Sequence, residues 1–110
     1  MGKAVLARPG EPLQVVDFVD ELEFYYEHLG CDLVDIVRAG DYLLIVDDEG
    51  LLVGDPQPND AASILYGHPI FGAALIVKEG HDESGVAYCE ELTSEDIHKL
   101  IQKFIRLVTR

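Results

Sequence analysis

Two runs of five apolar residues, Tyr42–Val46 and Ala73–Val77, contain no charged member and no polar face. A strand with one wet side alternates polar and apolar residues, because successive side chains point to opposite faces. A strand without that alternation needs cover on both faces or a central place in a sheet. At 110 residues the chain is near the usual size of one domain, large enough to bury one core. The rest of the sequence has to supply the cover for these runs.

Lys3–Arg8 reads as a first strand, ended by the turn Pro9-Gly10-Glu11-Pro12, and Leu13–Phe18 as a short second one. From Asp17 or Asp20 the period becomes helical, with Phe18, Leu22, Tyr25, Tyr26 and Leu29 on one face and Gly30 suited to the left-handed position past the helix end. Asp32–Val37 alternates as a partly exposed strand. Tyr42–Val46 is expected to pair with Leu51–Val53 in a hairpin across Asp47-Asp48-Glu49-Gly50. Asn59 is placed to cap a short helix through Tyr66, and after Gly67-His68-Pro69 another apolar strand ends at Val77. Lys78–Gly85 reads as a mobile loop and Val86–Glu90 as a strand.

The last helix has the clearest start. Thr93 and Asp96 approximate a capping box, and Leu92 with Ile97 forms a hydrophobic staple. Ile97, Leu100, Ile101, Phe104, Ile105 and Val108 recur at helical spacing and are expected to be one buried stripe, with Lys99, Lys103, Arg106 and Arg110 on the opposite face. The expected fold is a single α+β domain over residues 1–110. A small mixed or mostly antiparallel sheet carries an N-terminal helix, a short central helix and a C-terminal amphipathic helix packed on it.

Eight Lys and Arg against 21 Asp and Glu leave a formal charge of −13. Direct nucleic-acid binding is not expected, because phosphate contacts draw on Lys and Arg clusters. The imbalance is uneven: residues 1–92 hold four basic and 19 acidic side chains, residues 93–110 four basic and two acidic. No apolar run approaches the roughly 20 residues of a membrane span, and Arg8 and Pro9 interrupt the N-terminus before a secretion signal could form. A cytoplasmic protein is expected, with Cys31 and Cys89 as reduced, small core residues.

Leu44-Ile45-Val46-Asp47-Asp48-Glu49-Gly50, Pro58-Asn59-Asp60-Ala61-Ala62 and Ile70-Phe71-Gly72-Ala73-Ala74-Leu75-Ile76-Val77 lie in a segment, Leu43–Lys78, that resembles a family of uncharacterised small domains. These domains are carried by bacteriophages and other bacterial mobile elements. Their pattern is an acidic-glycine hairpin, a proline, asparagine and alanine motif, and a glycine-led strand. Where the family has a glycine pair at the helix-to-strand junction, this chain has Gly30-Cys31. The resemblance implies a setting, a phage-encoded protein inside a host bacterial cell, and gives emphasis to Asn59.

Candidate sites each have two readings. Asn59 is a ligand-holding amide or an N-cap; the cap reading predicts that Asp or Ser substitutes well, since either accepts the same hydrogen bond. Asp47, Asp48 and Glu49 are cation ligands or turn residues, and the oxygen spacing of a calcium loop is absent. His81-Asp82-Glu83 lacks a second metal-ligating cluster, and His28 and Cys31 have no fixed helical geometry across Gly30. No phosphate loop or nucleophile elbow occurs. No cofactor and no catalysis are therefore expected. Lys99, Lys103, Arg106 and Arg110 are the wet side of a helix or a contact for an acidic surface, with a second copy of the chain as the obvious partner. The expected function is a binding protein that occupies a host or phage macromolecule, one version being an acidic decoy placed where a target expects DNA phosphates. The alternatives are an oligomer that sequesters a small signalling ligand and a small hydrolase.

Overall fold

The computed structural model describes residues 2–31, 33–49 and 54–109. In chain order they form β1 (Lys3–Ala7), β2 (Gln14–Asp17), α1 (Leu22–Leu29), β3 (Val34–Ala39), β4 (Tyr42–Asp47), α2 (Asp60–Tyr66), β5 (Ala74–His81), β6 (Ala87–Glu90) and α3 (Ser94–Val108). The strands make one sheet in the order β2-β1-β5-β4-β3, with every neighbouring pair antiparallel. The first half of β5 pairs with β1 and its second half with β6, so β1 and β6 follow one another along the edge of β5 away from β4. A bridge between Lys3 and Leu92 closes the gap. The fold is the expected α+β class, with an antiparallel sheet.

The two apolar runs occupy the centre of this sheet and face both ways. Register places Val5, Leu44, Val46, Ala74 and Ile76 on one side, where they pack with Ala62 and Leu65 of α2 and Leu100 and Phe104 of α3. Ala4, Leu6, Leu43, Ile45, Leu75 and Val77 face the other side and pack with Tyr25 and Leu29 of α1. Helices on both faces thus explain the missing polar alternation. Leu44, Ile45, Leu75 and Ile76 are wholly buried, each burial contributing about 1.5–3 kcal/mol before chain entropy is counted.

The hairpin drawn forward from Tyr42–Val46 runs backward instead. Both edges of β4 are taken, one by β3 and the other by β5. Gly40 and Asp41 form the two-residue turn between β3 and β4, with Gly40 at φ 65°, a conformation that suits glycine at the first position of a tight hairpin. Leu51–Val53, the expected partner strand, lie outside the described residues, as do Gly50 and Asp32. The expected mobile loop is also shorter. β5 continues through His81 against β6, and the turn that remains is held by Asp82, whose Oδ1 accepts from the Ser84 and Val86 amides at 2.8 and 2.9 Å.

α1 starts later than its period suggested, at Leu22 after Glu21, which makes no side-chain cap bond. Phe18 lies outside the helix yet packs on it, its ring centroid 5.9 Å from Phe24 and 6.2 Å from Tyr25. Gly30 takes the left-handed position expected of it, at φ 65°. α3 keeps its capping box in full. Its apolar stripe is wider than the sheet can cover: Leu100 and Phe104 are buried and Ile97 half-buried, while Ile101, Ile105 and Val108 are 46, 55 and 65% exposed. A single helix laid on a sheet buries a narrow sector, and these three residues fall on its flank.

Candidate functional site

Asn59 is the one buried polar residue among the described residues, 1% exposed. Its Oδ1 accepts from the Ala62 amide at 3.1 Å, which makes it the N-cap of α2. Its Nδ2 donates at 2.9 Å to the carbonyl of Ala7 at the end of β1 and at 2.9 Å to that of Gly72 before β5. The backbone is engaged too, with N–H donating to Ile70 O and the carbonyl accepting from Ser63. Every polar group of Asn59 is thus used inside the fold. The N-cap reading holds, but the expectation that Asp or Ser substitutes well is corrected, because Nδ2 donates two hydrogen bonds, which an ionised Asp cannot donate and one Ser hydroxyl cannot both supply.

Asp47 and Asp48 come together with a residue that the sequence did not single out. A cavity of about 260 Å³ is lined by Asp35, Asp47, Asp48, Val37, Val46, Tyr66 and Phe71, among others. Asp47 Oδ1 accepts from the Glu49 amide at 2.9 Å, and the Asp48 amide donates to Leu33 O at 3.0 Å. The first bond is turn chemistry, so Asp47 has a structural task. Glu49 is exposed and does not line the cavity. Among the described residues no three His, Cys, Asp or Glu side chains stand together as metal ligands.

Of the basic residues of α3, Lys99 and Arg106 are exposed, as expected of a wet face, and Lys103 is half-buried. Lys99, Lys103 and Arg106 line a second, larger groove of about 470 Å³ with Asp41, Tyr42 and Leu107. Lys103 is half-buried, its ammonium 5.6 Å from the Tyr42 ring centroid, within cation–π range. Lys99 pairs with Glu95 one turn earlier at 3.3 Å. Arg110 lies outside the described residues. At the other end of α3, Asp96 Oδ2 accepts from Lys78 Nζ at 2.7 Å and from the Thr93 amide at 2.8 Å. The Lys78 ammonium, with the Thr93 amide, pulls the Asp96 carboxyl down to about 2, and the Asp96 carboxylate raises Lys78 in turn.

No disulfide joins Cys31 and Cys89, and both are half-buried beside the α1 core. Burial, with Asp20 nearby, pushes the Cys89 thiol up, which keeps it protonated and weakly nucleophilic. Tyr25 donates to Asp20, and burial raises its phenol strongly. His28 turns its Nδ1 to Phe24 O at 2.9 Å and stacks on the Phe24 ring. His81 Nε2 lies 3.3 Å from Glu79.

The feature that sequence reading missed is the distribution of carboxylates about α1. Residues 17–27 hold Asp17, Asp20, Glu21, Glu23 and Glu27 and no Lys or Arg. Lys3 pairs with Asp17, whereas Asp20, Glu21, Glu23 and Glu27 have no ion pair among the described residues. Asp20 also shares a groove with Glu90 and Glu91. The run was visible as letters, but that its helix lies on the sheet face away from α3 is a result of topology.

Among the described residues no helix is long and apolar enough to cross a membrane. No curated protein and no solved structure matches the chain. One family model does, over residues 2–105, from the first strand into the last turns of α3. With nearly the whole chain inside that match, the chain belongs to the family described as a domain of unknown function, DUF3846.

Proposed function

We propose that this protein is a non-catalytic accessory protein that binds and blocks a host or phage macromolecule by presenting the acidic α1 face. The target is a protein whose own site receives nucleic-acid phosphates, and the place is the cytoplasm of a phage-infected bacterial cell. The observation that carries this reading is the set of unpaired carboxylates on α1. Glu23 and Glu27 stand four residues apart on the helix, and a like-charge pair at that spacing costs a few tenths of a kcal/mol. The helix carries this pair without a side-chain cap at its start. A carboxylate-covered surface is attracted to a cationic cleft and steered into it.

Chemistry has no part in this reading, since the fold uses every polar group of Asn59 and Cys89 is held as a thiol. The resemblance of these segments to phage-borne domains suggests the setting, and counter-defence is the role that a blocker would serve there. The test compares the native protein with an E21Q, E23Q, E27Q variant in pull-downs from host lysate read by mass spectrometry. The expected result is a nucleic-acid-binding protein that the native chain retains, that duplex DNA displaces, and that the variant retains poorly. Equal retention by the variant, or a captured protein that DNA does not displace, overturns the reading.

A further inference from the structure

We propose that the groove between α3 and the β3–β4 turn is a binding site for a small phosphate-bearing molecule, held by Lys99, Lys103 and Arg106. This surface is separate from the α1 face, so the inference does not rest on the function proposed above. Its volume of about 470 Å³ falls within the roughly 300–1,000 Å³ of small-molecule sites.

The pairing of cations is the first reason. Seven Lys and Arg fall among the described residues, in a chain with 21 acidic side chains. Lys3, Arg38, Lys78 and Lys99 each have a carboxylate partner. Arg8, Lys103 and Arg106 have none among the described residues, although carboxylates outnumber cations, and of these Lys103 and Arg106 stand on one helix. These two line the same groove, less than one helical turn apart.

Pre-positioning is the second reason. Lys103 is half-buried, and its ammonium is set by the Tyr42 ring and by Gly40, where a Cβ would come within 3.1 Å of Nζ. A cation already held and partly desolvated loses less on binding an anion than a mobile one does. Phosphate is favoured over a single carboxylate because Lys103 and Arg106, with Lys99 one turn before, match a group of higher charge. A phosphomonoester carries about 1.5–2 negative charges at neutral pH, and the planar fork of Arg106 suits two phosphate oxygens. Asp41 on the lip is an acceptor for a ligand hydroxyl or amine. Asp41 is the opposing carboxylate in the groove lining itself, whereas the helix carboxylates Glu95 and Asp96 are paired with Lys99 and Lys78.

The probe is inorganic pyrophosphate, titrated by calorimetry and by amide NMR at physiological salt. Saturable one-site binding is expected, with shifts confined to Gly40–Tyr42 and residues 99–107. A K103Q, R106Q variant should melt as the native protein does and bind at least about tenfold more weakly. A K3Q, R8Q variant has the same net charge and should bind as the native protein does. Citrate, of similar charge but without phosphorus, should bind distinctly more weakly. The proposal falls if shifts are absent or lie elsewhere, if K3Q, R8Q weakens binding as much as K103Q, R106Q, or if citrate binds as well as pyrophosphate.

Discussion

The two faces of the sheet are covered by helices that hold on in different ways. α3 brings its own order, with fifteen residues, a complete capping box and an ion pair from Asp96 down to Lys78 on β5. α1 has eight residues, no side-chain cap and a like-charge pair on its surface, and it is kept by packing of Phe18, Phe24 and Tyr25 and by the bond from Tyr25 to Asp20. An isolated helix as short as α1 is marginal in water, so its stability is borrowed from the core. The acidic face of the molecule is therefore its locally weaker one. On the other side, α2 is shorter still, yet Asn59 ties it to both β1 and the approach to β5.

The sharpest way to break this contrast is at Asn59. Asn59→Asp should destabilise by more than about 4 kcal/mol, because it removes both donors to buried carbonyls and sets a carboxylate beside them. Asn59→Ala should cost less, about 3 kcal/mol, since it loses the bonds without burying a charge. Denaturant melts of both variants check the order. If Asp proves equal to Asn, the residue is only a cap and α2 is held no better than α1.

A smaller effect is expected at the foot of α3. Asp96 has its pKa pulled down to about 2 from an ordinary 3.8, so the folded state favours the carboxylate. The stabilisation is fully present above about pH 4 and is lost as pH falls toward 2. Asp96→Asn should lower stability by about 1–2 kcal/mol at neutral pH. The difference from the native protein should close as pH falls through that window. A constant offset across the range would mean that the ion pair does not fasten α3 to β5.

The smallest effect tests the exposed flank of α3. Ile101→Ser with Ile105→Ser should change the unfolding free energy, read from denaturant melts, by no more than about 0.5 kcal/mol for each residue, as for other surface substitutions. A loss of several kcal/mol would show that these side chains are buried, as their spacing alone suggested.

Local chemistry was what the sequence by itself determined. The apolar runs at Tyr42–Val46 and Ala73–Val77 required cover on both faces, Gly30 ended α1, and Thr93 with Asp96 began α3, because each of these depends on side chains within a few residues of one another. Strand partners, by contrast, were decided by tertiary structure. Nothing near Tyr42 says whether its hairpin runs forward or back, and the answer came from β5 occupying the second edge of β4. The cap at Asn59 was legible because Ala62 lies three residues on, but its donors reach Ala7 and Gly72, contacts that exist only once β1 and β5 are side by side. The basic stripe of α3 was legible as spacing, while its place in a groove with Tyr42 depended on how a helix with one buried sector settles on a twisted sheet. Period and capping act along the chain and can be read from it; register, edge occupancy and the depth of a groove act across it and arise only when distant segments meet.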